Sequence, residues 1–302
     1  MGHGLYDTER GVGKNLQSDS TNAQGNDSSV LLSDFNSNGF TVKSDASVNQ
    51  SGASFASWTF RKAPKFFDVV TYTGNNGYSQ SIAHPLGRAP GMVIVKAYTV
   101  DNSSEDLWYV YHIGASGTLR LNTTAAQDPY KYCIGSAGAT TFSVSQFANK
   151  SGLQYVAYLF AHDPSADGII QCGSFTTDAS GNATVNLGWE PQWLLVKSTN
   201  ISQNWQIVDV MREFSNRGYA AIYPNMNSAE SVTTGNSYLS PTATGFKTGP
   251  VAAVPGSSAY IYLAIRRPMK VPTSGTKVYK PTAWTGTNGT ASESGVGFAP
   301  LS

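Results

Sequence analysis

The chain is short of the residue types that most enzyme chemistry requires. Its 302 residues include two cysteines, four histidines and 19 acidic residues, and only 13% of the chain is charged. Cys133 and Cys172 are too few for a disulfide framework and lie at different places in the sequence pattern, so we expect two free thiols. The formal charge is +1, and the basic residues form no long run, so no nucleic-acid partner is indicated.

Long apolar runs are also missing. No run approaches the ~18 residues of a membrane helix, and residues 1–4 lack the basic and apolar regions of a secretory signal. N-terminal myristoylation would require Ser or Thr where Tyr6 stands. The sequence therefore predicts no membrane insertion.

What the sequence does contain is an internal repeat of about a hundred residues. Leu86–Lys96 returns as Leu187–Lys197, and both begin Leu-Gly-x-x-Pro and end in an apolar run with Lys. A second phrase recurs with nearly the same spacing, at Phe55–Phe60, Tyr155–Phe160 and Tyr260–Ile265. Because each phrase should occupy one structural position, we expect the first two segments to lie on equivalent strands.

This spacing divides the chain into four parts. Residues 1–62 carry the rear part of a repeat, 63–163 and 164–271 are complete repeats, and 272–302 carry the front part of a further one. A unit of this size is that of a small sandwich with its own core. Each end part alone would expose strand edges, so either the two ends pair, within one chain or between subunits, or a longer protein completes them.

The local pattern within each repeat is that of strands and turns. Short runs rich in Val, Ile, Tyr, Phe, Trp and Thr are separated by Gly, Asn, Ser, Asp and Pro, and no sustained helical periodicity is present. In Tyr155–Phe160 both faces of the predicted strand are apolar, as in a strand between two layers or at an interface between repeats. We therefore predict an all-β chain of tandem antiparallel β-sandwich repeats.

No motif for catalysis, metal binding or a cofactor is present. Asp163–Gly168 alternates oxygen-bearing residues but lacks the closing Glu of a calcium loop. The histidines have no metal-ligand spacing, and His112 stands at the repeat position that Asp7 and Asp209 occupy in the other copies. These features indicate a structural polar position rather than a catalytic base, and we predict that the chain is not an enzyme.

Four aromatic residues are candidates for ligand binding. Aromatic residues that stay large and apolar in every copy are expected to be core, as at the position of Trp108 and Trp205. Four others are specific to one copy or lie in polar loop sequence, so we expect them to be exposed and to face a sugar or a protein. They are Trp189, Tyr78, Tyr130 and Tyr132.

Three phrases carry a resemblance to a known group. The segments His3–Gly11, Ser57–Val70 and Tyr155–Asp163 resemble the repeated β domains of uncharacterised virion proteins from marine tailed bacteriophages. The resemblance covers nearly the whole chain and brings no catalytic motif. It implies a component of the virus particle: a tail fibre, another external appendage or an outer capsid protein.

The sequence thus predicts a non-enzymatic virion structural protein, external on the particle. Its expected partners are other virion proteins, a homo-oligomer such as a trimer, and host surface glycans. Two alternatives remain open. A polysaccharide-degrading tail protein would need two carboxylates about 5–10 Å apart in a cleft, and a capsid decoration protein would be arranged with the capsomers.

Overall fold

Short antiparallel strands joined by turns form nearly all of the structure, as the sequence predicts. A computed structural model describes residues 2–99, 107–130, 132–215, 218–234, 239–249 and 257–267. Described residues up to Arg266 belong to one compact unit, and none of the described helices is long and apolar enough to cross a membrane. The predicted front part at 272–302 lies outside the described residues.

The N-terminal segment, residues 2–62, contains two hairpins and one helical turn. Its elements are β1 (Gly4–Leu5), β2 (Leu16–Gln17), β3 (Leu32–Asn36), β4 (Gly39–Val42) and α1 (Ala46–Asn49). β1 pairs with β2 and β3 pairs with β4. The side chain of Asp45 accepts a hydrogen bond from the Ser47 N–H and caps α1. Residues 53–60 follow in an irregular conformation.

The first module, residues 63–163, is a sandwich of a large and a small antiparallel sheet. Its strands are β5 (Phe67–Thr73), β6 (Gln80–Ala83), β7 (Pro90–Ala97), β8 (Trp108–His112), β9 (Leu119–Arg120), β10 (Ile134–Ala137), β11 (Thr141–Val144) and β12 (Gln154–Ala161). The large sheet has the order β5-β12-β7-β8-β9, and the small sheet has the order β10-β11-β6. A 3-10 turn at Gln146–Ala148 leads into β12.

The second module, residues 164–267, has the same plan. Its strands are β13 (Ile170–Thr176), β14 (Ala183–Asn186), β15 (Pro191–Ser198), β16 (Gln206–Asp209), β17 (Gly218–Ala221), β18 (Ser231–Thr234), β19 (Leu239–Thr242), β20 (Gly245–Thr248) and β21 (Ala259–Arg266). The large sheet has the order β13-β21-β15-β16 and the small sheet β14-β20-β19, while β17 pairs with β18. A 3-10 turn occupies Val210–Arg212.

Equivalent phrases of the sequence occupy equivalent places in these sheets. Leu86–Lys96 runs into β7, which lies between β12 and β8, and Leu187–Lys197 runs into β15, which lies between β21 and β16. A turn with a left-handed glycine precedes each strand, at Gly87 (φ 69°) and Gly188 (φ 79°). A residue with a Cβ would be strained there, so this glycine belongs to the local structure of the repeat.

The large sheets are buried on both faces, as the two-sided apolar pattern predicts. In β21 one set of alternating residues, including Tyr260 and Tyr262, packs in the sandwich core of the second module. The other set, including Leu263 and Ile265, packs together with core residues of the first module. We call this second face of each large sheet the inner face. The first and second modules therefore share a continuous core instead of having wholly separate ones.

Candidate functional site

A buried polar group stands at the end of the β8-equivalent strand in all three copies. In the N-terminal segment it is Asp7, whose carboxylate accepts hydrogen bonds from the backbone N–H of Arg10 at 2.8 Å and from its Nε at 2.6 Å. The same guanidinium reaches the carbonyl of Leu5 at 3.1 Å. The pair is almost wholly buried, so loss of one partner would leave an uncompensated charge that costs about 3–5 kcal/mol.

The second module repeats this geometry. The Asp209 carboxylate accepts from the backbone N–H of Arg212 at 3.1 Å and from its Nε at 2.9 Å, and the guanidinium also donates to the carbonyl of Ile207. We call each such strand end, with its capping group, a latch. The Asp-x-x-Arg spacing is present in the sequence of both copies. Its structural role, however, follows only from the contacts that the latch makes with other parts of the chain.

The first module replaces the carboxylate with His112, which is fully buried. Its Nδ1 accepts the Gly114 N–H at 3.0 Å, and its Nε2 lies 3.0 Å from the carbonyl oxygen of Tyr262. A neutral imidazole with its proton on Nε2 satisfies both contacts. Burial lowers the pKa of His112 to about 4, which keeps this neutral form at physiological pH.

The first two latches contact the large sheet of the next module. The Asp7 latch of the N-terminal segment meets the first module, where the hydroxyl of Tyr158 donates to Asp7 at 2.8 Å. Burial raises the pKa of Tyr158, so the hydroxyl remains a donor. The His112 latch meets β21 of the second module through Tyr262.

Hydrogen bonds to backbone carbonyls also join the N-terminal segment to the first module and the first module to the second. The indole N–H of Trp108 donates to the carbonyl of Gln17 at 3.2 Å, and the indole N–H of Trp205 donates to that of Arg120 at 2.9 Å. Two buried lysines on the inner faces act similarly. Their ammonium groups donate to threonine carbonyls of the preceding part: Lys96 to Thr21 at 2.9 Å and Lys197 to Thr124 at 3.2 Å.

A third set of contacts joins the second module to the N-terminal segment. The indole N–H of Trp58 donates to the Asp209 carboxylate at 3.2 Å, and the Arg212 guanidinium lies 5.0 Å from the centre of the Trp58 ring. The buried hydroxyl of Ser18 donates to the carbonyl of Pro224 at 2.7 Å. The latches therefore run in a closed cycle, from the N-terminal segment to the first module, then to the second, and back.

One pair of carboxylates, those of Glu9 and Asp68, is bridged by a lysine. Lys62 Nζ lies 2.7 Å from the Glu9 carboxylate and 3.3 Å from that of Asp68. Burial by itself lowers the pKa of Lys62, but the hydrogen bonds to the two carboxylates outweigh it and raise the pKa. Both carboxylates contact the same ammonium group, which occupies the space that the glycosidic oxygen of a substrate would need between them.

Three of the four sequence-predicted binding residues lie on the surface of the first module. Tyr78, Tyr130 and Tyr132 are between 61% and 91% exposed. Gln80 and Ile134 both pair with Val144, which lies on the central strand of the small sheet. Tyr78 and Tyr132 come two residues before Gln80 and Ile134, so their chain segments reach the same end of that sheet. The flanking strands are about 10 Å apart. We call these three residues the tyrosine edge.

The prediction that Trp189 is exposed is wrong. Its side chain is 2% exposed and packs in the sandwich core of the second module with Leu194 and Phe246. The equivalent Arg88 instead forms an ion pair with Asp163 at 2.8 Å. One backbone position thus carries a core residue in one copy and a charged residue in the other, and Trp189 leaves the list of binding candidates.

The two cysteines lie in buried environments. Cys133 and Cys172 are both buried free thiols, as predicted, and burial raises the pKa of Cys172. Within the described ranges no group of three or more His, Cys, Asp or Glu side chains is arranged to hold a metal ion. The Lys62 cluster gave no signal in the sequence, because Lys62 lies 53 residues from Glu9 in the chain and only the fold brings the two together with Asp68.

The described residues form a mostly β protein with several antiparallel sheets and almost no helix, and buried polar contacts join its parts. The chain belongs to the family described as Domain of unknown function (DUF7483), which matches residues 1–267. No curated protein and no solved structure has a significant match to it.

Proposed function

We propose that the chain is a non-enzymatic structural protein of a bacteriophage virion, part of a tail fibre or other external appendage, and that its tyrosine edge contacts glycans of the host surface. Its partners in this role are other virion proteins and further copies of itself. The resemblance of His3–Gly11, Ser57–Val70 and Tyr155–Asp163 to repeated virion domains supports the particle location.

The closed cycle of latches is the observation that carries the structural role. The recurrent polar position is occupied by Asp7, His112 and Asp209, and in each copy its polar atoms bond to a neighbouring part of the chain. Such buried and satisfied groups favour one relative arrangement of modules, because any other arrangement would leave them unpaired. A fixed arrangement of this kind suits a building block better than an enzyme with a moving cleft.

The tyrosine edge supports the contact with glycans. Exposed tyrosine rings offer flat apolar faces with a polar tip, and the segments of Tyr78 and Tyr132 reach one sheet end about 10 Å apart, a separation that a short oligosaccharide can span. The underlying loop is fixed, since the Asn149 side chain bonds to Asn75 and to the Gly77 carbonyl.

Location on the particle is tested by labelling. Antibodies against the purified chain should decorate the tail or outer surface of intact particles of the phage that encodes it, and the chain should be found by mass spectrometry of purified particles. Its absence from purified particles would contradict the proposal.

Glycan binding is tested separately with host lipopolysaccharide or capsule. Replacing Tyr78 and Tyr132 together with Ala should weaken binding at least about ten-fold, if each stacked ring contributes about 1 kcal/mol. Met211→Ala is the matched control, since Met211 is as exposed as Tyr132 but lies in the second module. Equal binding by the tyrosine variant and the control would exclude the edge as the contact.

A further inference from the structure

The two modules share the loop that joins the first strand of the large sheet to the first strand of the small sheet. It connects β5 to β6 through residues 74–79 in the first module, and β13 to β14 through residues 177–182 in the second. In both loops the side chain of the second residue accepts the N–H two residues further on. The pairs are Asn75 with Gly77, at 2.9 Å, and Asp178 with Ser180, at 2.8 Å. The two loops can therefore be compared position by position.

Two exposed side chains distinguish the loop of the first module. Tyr78 stands where the second module has Gly181, and Asn76 stands where the second module has Ala179. Both Tyr78 and Asn76 are exposed. Because the second module keeps the same loop without them, neither side chain is required for the loop to form. The first module thus adds an aromatic ring and an amide that are accessible to a ligand.

Asn76 combines a fixed backbone with an unused amide. Its backbone is left-handed, with φ of 61°, a conformation that asparagine enters more readily than most residues do. Its N–H donates to the carbonyl of Asn149 at 2.6 Å. Its side chain makes no hydrogen bond within the described part of the chain. The amide can therefore donate hydrogen bonds to a ligand and accept them from it.

Contacts to the chain beneath the loop hold it in one conformation. The buried Asn149 side chain accepts the Asn75 N–H at 2.9 Å and donates to the Gly77 carbonyl at 3.0 Å. Gly74 packs so closely on the backbone of Lys150 that a Cβ at this position would overlap with the carbonyl oxygen. The loop therefore does not have to be ordered when a ligand binds, which favours binding.

The loop and the strands beside it are uncharged. Residues 69–83 contain no Asp, Glu, Lys or Arg. Near Tyr130, Asp128 forms an ion pair with Arg120 at 3.3 Å, so these two charges compensate each other. The carboxylate of an acidic sugar is bound most strongly by a charged donor. An amide beside an aromatic ring instead matches the hydroxyl groups and the apolar face of a neutral sugar.

The spacing of the two side chains suits a single sugar unit. Asn76 and Tyr78 are two residues apart, so their Cα atoms are separated by at most about 7 Å, a distance that one sugar ring with its hydroxyl groups can bridge. We propose that this loop is a subsite for an uncharged hexose, whose ring stacks on Tyr78 and whose hydroxyl groups bond to the Asn76 amide. This inference rests on the proposed contact of the tyrosine edge with glycans.

NMR titration of the full chain with trisaccharides of glucose, galactose or mannose tests the subsite, and trisaccharides that contain one uronic acid serve for comparison. The wild type should bind a neutral trisaccharide with a Kd that changes by less than about two-fold between low and high salt, because no ion pair forms. Tyr78→Ala should weaken this binding about five-fold, whereas Tyr78→Phe keeps the ring and should not. Asn76→Gly removes the amide but permits the left-handed backbone, and it should weaken binding about three- to ten-fold.

Ser79→Ala is the matched control, because Ser79 is exposed in the same loop, and it should leave the Kd unchanged. The subsite is overturned if the wild type binds no neutral trisaccharide, if it binds the acidic trisaccharides more tightly, or if Asn76→Gly binds as tightly as the wild type. Should one of these results occur while the double Tyr78 and Tyr132 variant still loses binding to host lipopolysaccharide or capsule, only the neutral subsite is wrong. A wild type that binds no host glycan would overturn both the subsite and the glycan contact.

Discussion

Acidification should weaken the contact between the two modules through His112. The imidazole is fully buried, its Nδ1 accepts the Gly114 N–H, and its Nε2 faces the Tyr262 carbonyl. A second proton would have to sit on Nδ1, where it would meet the Gly114 N–H instead of an acceptor. The charged form therefore loses both its hydration and one of its two hydrogen bonds.

The direction and size of the effect follow from the pKa. Burial lowers the pKa of His112 from 6.5 to about 4, so the folded state binds a proton less readily than the unfolded chain. The free energy of unfolding should therefore fall as the pH drops below 6.5, and continue to fall until about pH 4. The difference between the two pKa values corresponds to about 3 kcal/mol.

Urea unfolding of the wild type and of His112→Gln, at about pH 7 and about pH 4, measures this contribution. Gln keeps a donor for the Tyr262 carbonyl but does not titrate. Between the two pH values the wild type should lose about 3 kcal/mol more stability than the variant. The pKa values of His3, His84 and His162 are also lowered by burial, but these groups are common to both proteins and cancel. Equal losses would refute the reasoning.

Two further predictions concern other buried polar groups on the inner faces and in the cores. Burial lowers the pKa of Lys197 from 10.5 to about 8, so stability should rise between these pH values, and Lys197→Met should lose that rise in urea titrations; an unchanged pH dependence would contradict this. In the same assay, Trp205→Phe should lower the free energy of unfolding by about 2 kcal/mol more than Trp189→Phe does. The reason is that the Trp205 indole donates to Arg120, whereas the buried Trp189 indole nitrogen has no partner among the described residues; equal costs would count against the latch contacts.

Local sequence pattern predicted the β architecture because strand and turn signals are short-range. The runs at Met92–Lys96, Tyr155–Ala161 and Tyr260–Ile265 lie in strands of the large sheets. Their apolar character on both faces indicated two buried faces, which the structure has. The closed cycle of latches was not predictable in this way, because it depends on contacts such as Trp58 with Asp209 that join residues 151 apart.

The candidate site was predicted only in part. Exposure of Tyr78, Tyr130 and Tyr132 followed from their polar loop sequence and is confirmed. The error at Trp189 has a physical cause: its equivalent Arg88 is an ion-paired residue, but the difference between the two copies does not indicate exposure in both. Variation at a position shows that its environment differs between copies, and in the second module that environment is a core pocket.

The contact that closes the cycle can be measured with a double-mutant cycle of Trp58→Phe and Asp209→Asn, using urea unfolding. Phe removes the indole N–H, and Asn removes the charge of its acceptor while keeping its shape. A charge-assisted hydrogen bond contributes about 1.5–3 kcal/mol and a neutral one about 0.5–1.5 kcal/mol, so a coupling of about 1 kcal/mol is expected. The weakened Asp209–Arg212 pair is common to both backgrounds and cancels. A coupling of about 1 kcal/mol would support the closed cycle, and a coupling near zero would contradict it.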